Sequence, residues 1–451
     1  MEENVMTLEE EILMLCREKK YAKIRSILTE MNPSDIAYLF NDFPDEHALI
    51  VFRLLPKELA ADTFVEMESD KQELLIKGFS DTELRDVMDE LYLDDAVDIV
   101  EEMPANVVKR ILSNTDADTR AMINKILKYP DDSAGSIMTV EYVSLKKNMT
   151  VADALTRIRR TGIDKETIYL NYVTDYDRHL LGIVTARELL LADDDDSIND
   201  IMTTNVIHVH THTDREDVAQ MFSKYNFLAL PVVDDEERLV GIVTIDDAMD
   251  VMEEEATEDI EKMAAIRPTE KPYFQTGVWQ TVRARIPWLM LLMISSTFTS
   301  IIITKFEDAL SVSIALSAAI PMLMDTGGNC GGQASVTIIR ALSLEDVEFK
   351  DIFKVMWKEF RVAIICGIAL AAVNFIKMLI LRSGTMLIAV TVSIALFFSV
   401  IVAKLVGCCL PMIANKLGFD PAVMSSPFVT TIVDALSLLV YFNLAVLILG
   451  I

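Results

Sequence analysis

The chain has 451 residues, more than one compact core usually holds, so about two to four domains are expected. Its formal charge of −29 disfavours nucleic acid as a partner, and a hydrophobic content of 51% argues against disorder. The two properties separate along the sequence. Residues 1–270 carry 28 basic and 60 acidic side chains, whereas residues 271–451 carry 13 and 10. This division predicts a membrane protein with a large acidic soluble portion and excludes a single soluble domain.

Residues 1–130 predict an acidic helical superhelix. Short amphipathic stretches are separated by Pro or by Asp and Ser caps, and the stretch at 43–59 is imperfectly repeated at 93–105. Such a repeat is typical of a stacked helical solenoid, a class that binds partners or transmits signals more often than it catalyses. The predicted helices are Glu9–Lys20, Ser34–Phe40, Glu46–Leu54, Pro56–Met67, Asp70–Phe79, Asp81–Leu91, Leu93–Met103 and Pro104–Leu112.

Residues 131–195 and 196–252 are two copies of one unit. The copies open with Ser-Ile-Met-Thr at 136–139 and Asp-Ile-Met-Thr at 200–203, and both end in Gly-Ile-Val-Thr, at 182–185 and 241–244. Each copy predicts the order strand, helix, strand, strand, helix, with first helices at Thr150–Thr161 and Asp214–Asn226. This α/β pattern resembles a pair of CBS domains.

The CBS resemblance implies a nucleotide site. In that family the Thr and the acidic residue near the end of the final strand commonly hold an adenosyl ribose. A purely structural pair without nucleotide remains open. The residues at the matching positions are Thr185, Arg187 and Glu188, or Thr244 and Asp247.

Three histidines, His208, His210 and His212, alternate and are predicted to share one face of a strand. A metal site there needs a further ligand from elsewhere in the fold, so we interpret the segment as an exposed strand.

An acidic connecting helix is predicted after the second copy, over residues 253–272 and continuous with the acidic run that begins at 246. Positions 247, 250, 254, 258 and 261 are three or four residues apart, which aligns five carboxylates on one helical face. Mutual repulsion on that face favours binding of divalent cations, and a solvated acidic face is the alternative reading. The candidate regulatory ligands are Asp247, Asp250, Glu254, Glu255, Glu258 and Asp259, with Asp94, Asp95, Asp98, Glu101, Asp214, Glu216 and Asp217 as acidic partners from the other domains.

Residues 273–451 predict a membrane domain with five spanning helices. Ile286–Thr304 contains 19 consecutive uncharged residues, enough to cross a hydrocarbon core of about 30 Å. Basic residues lie just before the first span and in the loop after the second. Met1–Lys20 lacks the pattern of a cleavable signal peptide. We therefore expect a multi-pass protein with a cytoplasmic N-terminus. The further spans are predicted from about Ala309 to Ile339, Val362 to Leu381, Ser383 to Ile413 and Pro427 to Ile451.

Two carboxylates interrupt these spans. Asp434 has 13 uncharged residues before it and 17 after it, and Asp325 precedes a segment with four glycines. An ionisable group at membrane depth usually faces a cavity or pore. We expect Pro321 and the glycines to loosen the helix and free carbonyl oxygens, which with the carboxylates would suit a hard cation such as Mg²⁺, Ca²⁺ or Mn²⁺. A close helix contact is the alternative. One Asp per chain makes a symmetric dimer attractive.

The complete order of domains, together with Gly-Gly-Asn-Cys-Gly-Gly-Gln at 327–333, Phe-Asp-Pro-Ala at 419–422 and Asp434, looks like the MgtE family of bacterial Mg²⁺ channels. The resemblance implies a homodimer in the inner membrane, a pore on its two-fold axis, closure by Mg²⁺ bound at cytosolic acidic sites, and ATP at the CBS pair of some members. Gly332 and Ser426 depart from residues common in the family. The pore residues implied are Asp434, Asn329, Asp325 and Asp420.

Two other functions remain open at this point. The chain could transport another divalent cation such as Co²⁺, Ni²⁺ or Mn²⁺, or it could be a membrane-tethered sensor of Mg²⁺ or adenylate. An enzyme is not expected, because the sequence contains no Walker loop, no His-Glu-x-x-His motif and no Ser/His/Asp set near the membrane surface.

Overall fold

A computed structural model describes residues 7–41, 43–269, 273, 276–307, 314–344, 346–382, 384–424 and 426–450. The chain divides into two compact units, Met1–Met252 and Glu253–Ile451. The fold class expected from the sequence is confirmed: a helical N-terminal part, a duplicated α/β part and a bundle of long apolar helices.

The N-terminal part packs short helices around a core that includes the aromatic rings of Phe40, Phe52, Phe64 and Phe79. Its helices are α1 (Leu8–Arg17), α2 (Tyr21–Leu28), α3 (Pro33–Asn41), α4 (Asp45–Phe52), α5 (Lys57–Val65), α6 (Ser69–Gly78), α7 (Asp81–Met88), α8 (Leu93–Glu102), α9 (Ala105–Asn114) and α10 (Ala117–Ile126).

Two of these helices, α2 and α10, were not predicted. Helix α2 has no side-chain cap, so its start gives little signal in the sequence. Helix α10 does carry a signal, because Asp116 precedes it and its carboxylate accepts hydrogen bonds from the backbone N–H groups of Asp118 and Thr119.

The duplicated part forms two three-stranded sheets of the same topology. In each sheet the first two strands are parallel and the last two antiparallel. The predicted order of elements is therefore confirmed. The first copy contains β1 (Tyr142–Lys146), α11 (Val151–Thr161), β2 (Thr167–Thr174), β3 (Leu180–Thr185) and α12 (Ala186–Leu191); α13 (Ile198–Ile201) leads to β4 (Val209–His210), α14 (Arg215–Tyr225), β5 (Ala229–Val233) and β6 (Leu239–Thr244).

Helix α15 (Ile245–Met263) continues directly from β6. It starts earlier than the helix expected at 253–272, because the hydroxyl of Thr244 donates a hydrogen bond of 2.5 Å to the carboxylate of Asp247 at its first turn. It also ends earlier, at Met263, where Ala265 takes a left-handed backbone conformation with φ of 54°. Residues 270–272 of the expected helix lie outside the described residues.

The membrane unit contains α16 (Val278–Lys305), α17 (Ile314–Ser343), α18 (Ile352–Ile380), α19 (Met386–Lys416) and α20 (Ser426–Leu449). Four helical segments are long and apolar enough to cross a membrane: α16, α19, the segment Phe349–Ile380 around α18 and the segment Pro421–Leu449 around α20. Helix α17 has 30 residues, also sufficient to cross, but Asp325, Asn329 and the glycines lower its mean hydropathy. Ala309, Ser383 and Ile451, which bounded three predicted spans, lie outside the described residues.

Burial is unequal among the long helices. Helix α19 packs against α17, α18 and α20, and their shared core contains Leu323, Val392, Val400 and Val433. In contrast, α16 and α18 leave large apolar side chains exposed, among them Leu289, Met293, Phe298, Ile365, Val373 and Ile376. Exposed apolar surface of this extent suits hydrocarbon and is rare on a soluble protein.

Candidate functional site

The glycine-rich segment of α17 is helical throughout, so the expected loosening of this helix is wrong. Its glycines serve close packing instead. A Cβ atom built on Gly407 of α19 would lie 2.2 Å from the carbonyl oxygen of Gly331, so the two backbones touch there. Small residues that let membrane helices approach in this way stabilise the contact by packing along the whole interface. The close-contact alternative therefore describes this segment, and Pro321 is accommodated within the helix.

Asp434 lies on the face of α20 that meets α17. On that face a Cβ built on Gly327 would come within 2.9 Å of the Ser437 hydroxyl and 3.1 Å of Val433. The Asp434 Oδ1 atom and the Ser437 hydroxyl are buried, and neither has a hydrogen-bond partner among the described residues. A buried acceptor without a donor is costly, which makes this a position where water or a cation would bind.

Asp325 is the charged group that acts on Asp434, and the two carboxylates repel each other. Helix α17 presents Asp325, Asn329 and Gln333 at intervals of four residues, and all three are exposed. Four-residue spacing places them on one face of the helix. Asp325 is thus close enough to Asp434 to act on its charge, and it begins a polar stripe of oxygen-bearing side chains on α17.

Asp420, the fourth predicted pore residue, lies just before α20 and is engaged in an ion pair. Its Oδ2 atom is 2.7 Å from the ammonium of Lys262, near the end of α15, and Oδ1 accepts a hydrogen bond of 2.7 Å from the N–H of Ala422. Lys262 also contacts Glu258, one turn earlier. Burial alone would lower the pKa of Lys262, but the hydrogen bonds with Asp420 and Glu258 raise it above its ordinary value. The lysine therefore stays charged and links α15 to the start of α20.

A buried ion pair inside the membrane domain was not predicted. The ammonium of Lys404 in α19 lies 3.6 Å from the carboxylate of Glu359 in α18, and their side chains are only 8% and 12% exposed. Lys404 lies within a predicted span and carried a signal that the sequence analysis did not use. Glu359 carried none, because its helix was expected to begin only at Val362, whereas α18 begins at Ile352.

The cytosolic carboxylates include a desolvated cluster formed by Asp94, Asp95, Glu166 and Asp247. Burial, reinforced by Asp247, raises the pKa of Asp94 well above its ordinary value, and the same two causes raise the pKa of Asp95 to about 7. Burial followed by repulsion from Asp246 raises the pKa of Glu166 to about 8. For Asp247, burial outweighs the hydrogen bond from Thr244 and raises the pKa to about 6. The cluster thus joins α8, the first copy and α15.

Glu166 was missed by the sequence analysis because it lies between α11 and β2, far in sequence from the acidic stretches. Glu141 was missed for the same reason. Its carboxylate accepts hydrogen bonds from the Leu93 N–H at 3.2 Å and from the Thr139 hydroxyl at 2.6 Å, so it adds another negative charge at the start of α8. Only the tertiary fold brings these groups together.

The remaining predicted regulatory ligands lie at other places. Asp214 caps α14, where its side chain accepts a hydrogen bond from the Glu216 N–H, and Glu216 in turn accepts one from Gln220. Asp250, Glu254, Glu255, Glu258 and Asp259 lie along α15. Burial and the nearby charge of Asp420 raise the pKa of Asp259.

The predicted nucleotide contacts occupy helix starts. The Thr185 hydroxyl and Glu188 form a capping box at α12, with a hydroxyl-to-carboxylate distance of 2.8 Å, and Arg187 between them is exposed. Thr244 and Asp247 repeat the arrangement at α15. The local fold therefore gives these pairs a capping role in both copies.

Three family models match successive parts of the chain: an MgtE intracellular N domain over residues 31–132, CBS domains over 134–195 and 198–254, and the MgtE divalent cation transporter over 320–444. The magnesium transporter MgtE of Thermus thermophilus is 38% identical over 430 residues, which cover 94% of this chain and 95% of that protein. The chain belongs to the MgtE family.

Other MgtE proteins agree with this assignment. The magnesium transporter MgtE of Bacillus subtilis is 34% identical over 434 residues, 96% of each chain. A crystal structure of the cytosolic domain of the Mg²⁺ channel MgtE in complex with ATP covers 54% of this chain and all of its own, with 37% identity and a TM-score of 0.52. The soluble part of a magnesium transporter covers 55% of this chain and 98% of its own, with 32% identity and a TM-score of 0.52.

Membership in the MgtE family settles the class of protein. The chain is a multi-pass membrane protein of a magnesium transporter family, its N-terminal domains are cytosolic, and it is not an enzyme. The expected location and the expected absence of enzymatic function are confirmed.

Proposed function

We propose that this MgtE protein is a Mg²⁺-selective channel for Mg²⁺ uptake and homeostasis, and that cytosolic Mg²⁺ closes it. The observation that carries the proposal is the pair Asp325 and Asp434, two carboxylates on facing membrane helices, one with a buried and unpartnered oxygen. Among the described residues neither forms a salt bridge. A cation is the natural partner of such a pair.

Mg²⁺ suits this pair better than a softer ion because every polar side chain of the stripe offers oxygen. Mg²⁺ gives up its water reluctantly, and a wide oxygen-lined passage can hold the hydrated ion without stripping it. Asn329 and Gln333 supply amide oxygens next to Asp325, and they would hydrogen-bond to the ion's water shell. Asp420 belongs to the same proposal as a charge near the cytosolic end of the passage.

The functional unit in this proposal is a homodimer in the lipid bilayer, with the passage on its two-fold axis. Support comes from the exposure of Asp325, Asn329 and Gln333 in the single chain. A polar face of a membrane helix is unfavourable against lipid, and a second copy of the same face would cover it and double the number of carboxylates.

Closure is proposed to depend on the cytosolic carboxylates. Burial, followed by repulsion from neighbouring carboxylates, raises the pKa values of Asp95, Glu166 and Asp247, so their charged forms are costly when no cation neutralises them. Divalent ions bound between such groups neutralise them and favour the compact arrangement, which we take to be the closed one. Several weak sites acting together shift this equilibrium more steeply than one tight site. The proposed ligands are Asp94, Asp95, Asp214, Glu216, Asp247, Asp250, Glu254, Glu255, Glu258 and Asp259.

ATP at the CBS pair is proposed as a modulator of closure. Support comes from the relative whose cytosolic domain was crystallised with ATP. The candidate contacts are Thr185, Arg187 and Glu188 in the first copy and Thr244 and Asp247 in the second. Since Asp247 also belongs to the acidic cluster, ATP and Mg²⁺ would act on a shared residue.

The proposal is tested by Mg²⁺ flux into liposomes containing the purified chain. Replacing Asp434 by alanine is expected to abolish flux in a protein that still assembles as a dimer. Asn443→Ala is the matched control, because Asn443 lies on the same helix with its side chain exposed. Flux near the unaltered level in Asp434→Ala would remove Asp434 from the passage and overturn the proposal.

A further inference from the structure

The second CBS copy carries a cluster of nitrogen and oxygen ligands outside the residues proposed above for Mg²⁺ transport. The Nε2 atom of His208 lies 3.2 Å from Oε2 of Glu237, and the Nε2 atom of His210 lies 3.8 Å from Oε1 of the same carboxylate. One ligand atom from each of the three side chains lies within 4.8 Å of the others. His212, the third histidine of the sequence pattern, lies beyond β4 and places its ring against Tyr129 instead.

The hydrogen bonding of His208 fixes which of its nitrogens faces Glu237. Its Nδ1 atom lies 3.1 Å from the backbone carbonyl oxygen of Val206. A carbonyl oxygen can only accept, so Nδ1 is the nitrogen that donates to it, and Nε2 is the nitrogen directed at the Glu237 carboxylate, where a metal ion would lie between the two side chains. A backbone carbonyl that orients the second ring nitrogen is the usual support of a metal-binding histidine.

The ligand geometry fits a small divalent ion. With metal–nitrogen and metal–oxygen distances of about 2.0–2.2 Å, two ligands of a tetrahedral site lie about 3.3 Å apart. The histidine nitrogens lie 3.2 Å from one Glu237 oxygen and 3.8 Å from the other, so side-chain movements of less than about 1.5 Å would bring the three ligands to that spacing. Two imidazoles and one carboxylate suit borderline ions such as Zn²⁺, Ni²⁺ and Co²⁺, whereas Mg²⁺ prefers oxygen ligands.

The first CBS copy shows that the fold does not require these three residues. In the first copy Leu145 pairs with Val173, and in the second Val209 pairs with Val232. Val173 and Val232 each pair in turn with the glycine of their copy's Gly-Ile-Val-Thr ending, so Leu145 and Val209 occupy equivalent positions. This register makes Ser144 and Lys146 the counterparts of His208 and His210.

The hairpin turns match in the same way. The carboxylates of Asp175 and Asp234 each accept hydrogen bonds from the N–H groups two and four residues later. The left-handed residue of each turn is Arg178 in the first copy, with φ of 70°, and Glu237 in the second, with φ of 62°. Serine, lysine and arginine at these three positions thus build the same structure, so histidine, histidine and glutamate at the same positions of the second copy are not explained by folding.

We propose that His208, His210 and Glu237 bind a divalent transition-metal ion of the Zn²⁺, Ni²⁺ and Co²⁺ class on the second CBS copy, separately from any Mg²⁺ site. Three protein ligands leave at least one coordination position for water. His210 and Glu237 are exposed, so the ion can enter from solvent. Arg238, the next residue after Glu237, is itself paired with Glu236.

The test titrates Co²⁺ into the purified full chain in detergent at neutral pH, with millimolar Mg²⁺ present to fill the oxygen sites, and follows the visible absorption of the bound ion. We expect one Co²⁺ per chain that excess Mg²⁺ does not displace. His210→Ala and Glu237→Gln should each weaken binding roughly tenfold or more, since each removes one ligand from the set. His212→Ala, a histidine of the same segment outside the cluster, should bind Co²⁺ as the unaltered chain does.

A second variant separates loss of a ligand from loss of structure. Glu237→His keeps three ligands and should bind Co²⁺ with a spectrum typical of a more nitrogen-rich site. The proposal is overturned if His210→Ala and Glu237→Gln bind as tightly as the unaltered chain, or if His212→Ala weakens binding to the same degree. It is also overturned if Glu237→His binds no better than Glu237→Gln, or if Mg²⁺ displaces Co²⁺ readily.

Discussion

The ammonium of Lys262 lies 2.7 Å from the Asp420 carboxylate, and this ion pair connects the last turn of α15 to the segment that leads into α20. It links the acidic helix to the segment before the membrane helix that carries Asp434. A change in the position of α15 would therefore act on Asp420.

Breaking this link should make the channel harder to close. Lys262→Met and Asp420→Asn each remove a partly exposed ion pair, whose contribution of about 0.5–1 kcal/mol corresponds to a two- to fivefold shift of the closure midpoint toward higher Mg²⁺. Asparagine keeps the oxygen that accepts from Ala422, so the local turn is preserved. Liposome flux measured over a range of Mg²⁺ concentrations checks the shift.

The double variant Lys262→Met/Asp420→Asn should shift the midpoint no further than either single variant, because both singles remove the same interaction. Lys354→Met is the matched control, since it removes a largely exposed lysine paired with Asp351 at 2.6 Å. Additive shifts in the double variant, or an equal shift in Lys354→Met, would count against a role for the pair in closure.

Because of the acidic cluster, we expect the free energy of unfolding to fall as pH rises when Mg²⁺ is absent. The pKa values of Asp95, Glu166 and Asp247 are raised in the folded protein to about 7, 8 and 6, so the folded state binds more protons than the unfolded state between about pH 4 and pH 8. Stability from these groups is fully present below about pH 4 and is lost progressively through that window. Urea unfolding of the cytosolic fragment, residues 1–263, in a chelator would measure it.

Mg²⁺ should remove most of this pH dependence, because a bound divalent ion replaces the protons as the neutralising charge. Asp95→Asn should flatten the pH profile in the absence of Mg²⁺ and weaken stabilisation by Mg²⁺. Asp118→Asn, at an exposed position of α10, is the control. A profile that rises with pH, or that Mg²⁺ leaves unchanged, would show that the cluster is only a solvated acidic surface.

The Gly331–Gly407 contact predicts that even one added methyl group is harmful in the membrane unit. Gly407→Ala would place Cβ 2.2 Å from the Gly331 carbonyl oxygen, and the resulting backbone shift should cost about 1–3 kcal/mol. Thermal unfolding of the purified protein in detergent checks this. Gly277→Ala has nothing within 4 Å of the new atom and should leave the unfolding temperature almost unchanged. Equal unfolding temperatures for the two variants would contradict the close contact.

The Lys404–Glu359 pair should be costly to break from one side only. Lys404→Met or Glu359→Gln alone leaves a buried charge without its partner, which typically destabilises by about 3–5 kcal/mol, whereas the double variant should recover most of that loss. The 8% and 12% exposure of the two side chains supports the high cost. Detergent unfolding of the four proteins gives the coupling energy directly, and additive single losses would argue that the side chains do not interact.

Much of the fold could be predicted from local patterns. The repeated Gly-Ile-Val-Thr endings and the apolar runs identified the CBS pair and the long helices, because periodicity and length are properties of single segments. Helix α2 was missed for lack of a cap, although the Asp116 cap of α10 was available. The prediction that the helix loosens at 327–332 was wrong. Glycine weakens an isolated helix, but here the absence of side chains lets neighbouring helices pack closely, and that packing stabilises the helix.

The candidate sites were predictable in part. Asp434 and Asp325 were found because a charged residue within an apolar run can be recognised from the sequence alone. Glu166 in the acidic cluster, Glu359 beside Lys404 and Glu237 beside His208 were not found, because each lies far in sequence from the residues it meets. Pairing of this kind is a property of the tertiary fold, and only the strand register and the hairpin turn place Glu237 against the histidines.

Helix α15 begins next to Thr244, whose hydroxyl caps it by a hydrogen bond to Asp247, and ends at Met263, one residue after Lys262. A helix of 19 residues is a stiff rod about 28 Å long. A rotation of only about 10° at its Thr244 end would therefore carry the far end through about 5 Å, roughly one helical turn. In the closure proposed above, a small movement at Asp247 would therefore be enough to separate Lys262 from Asp420.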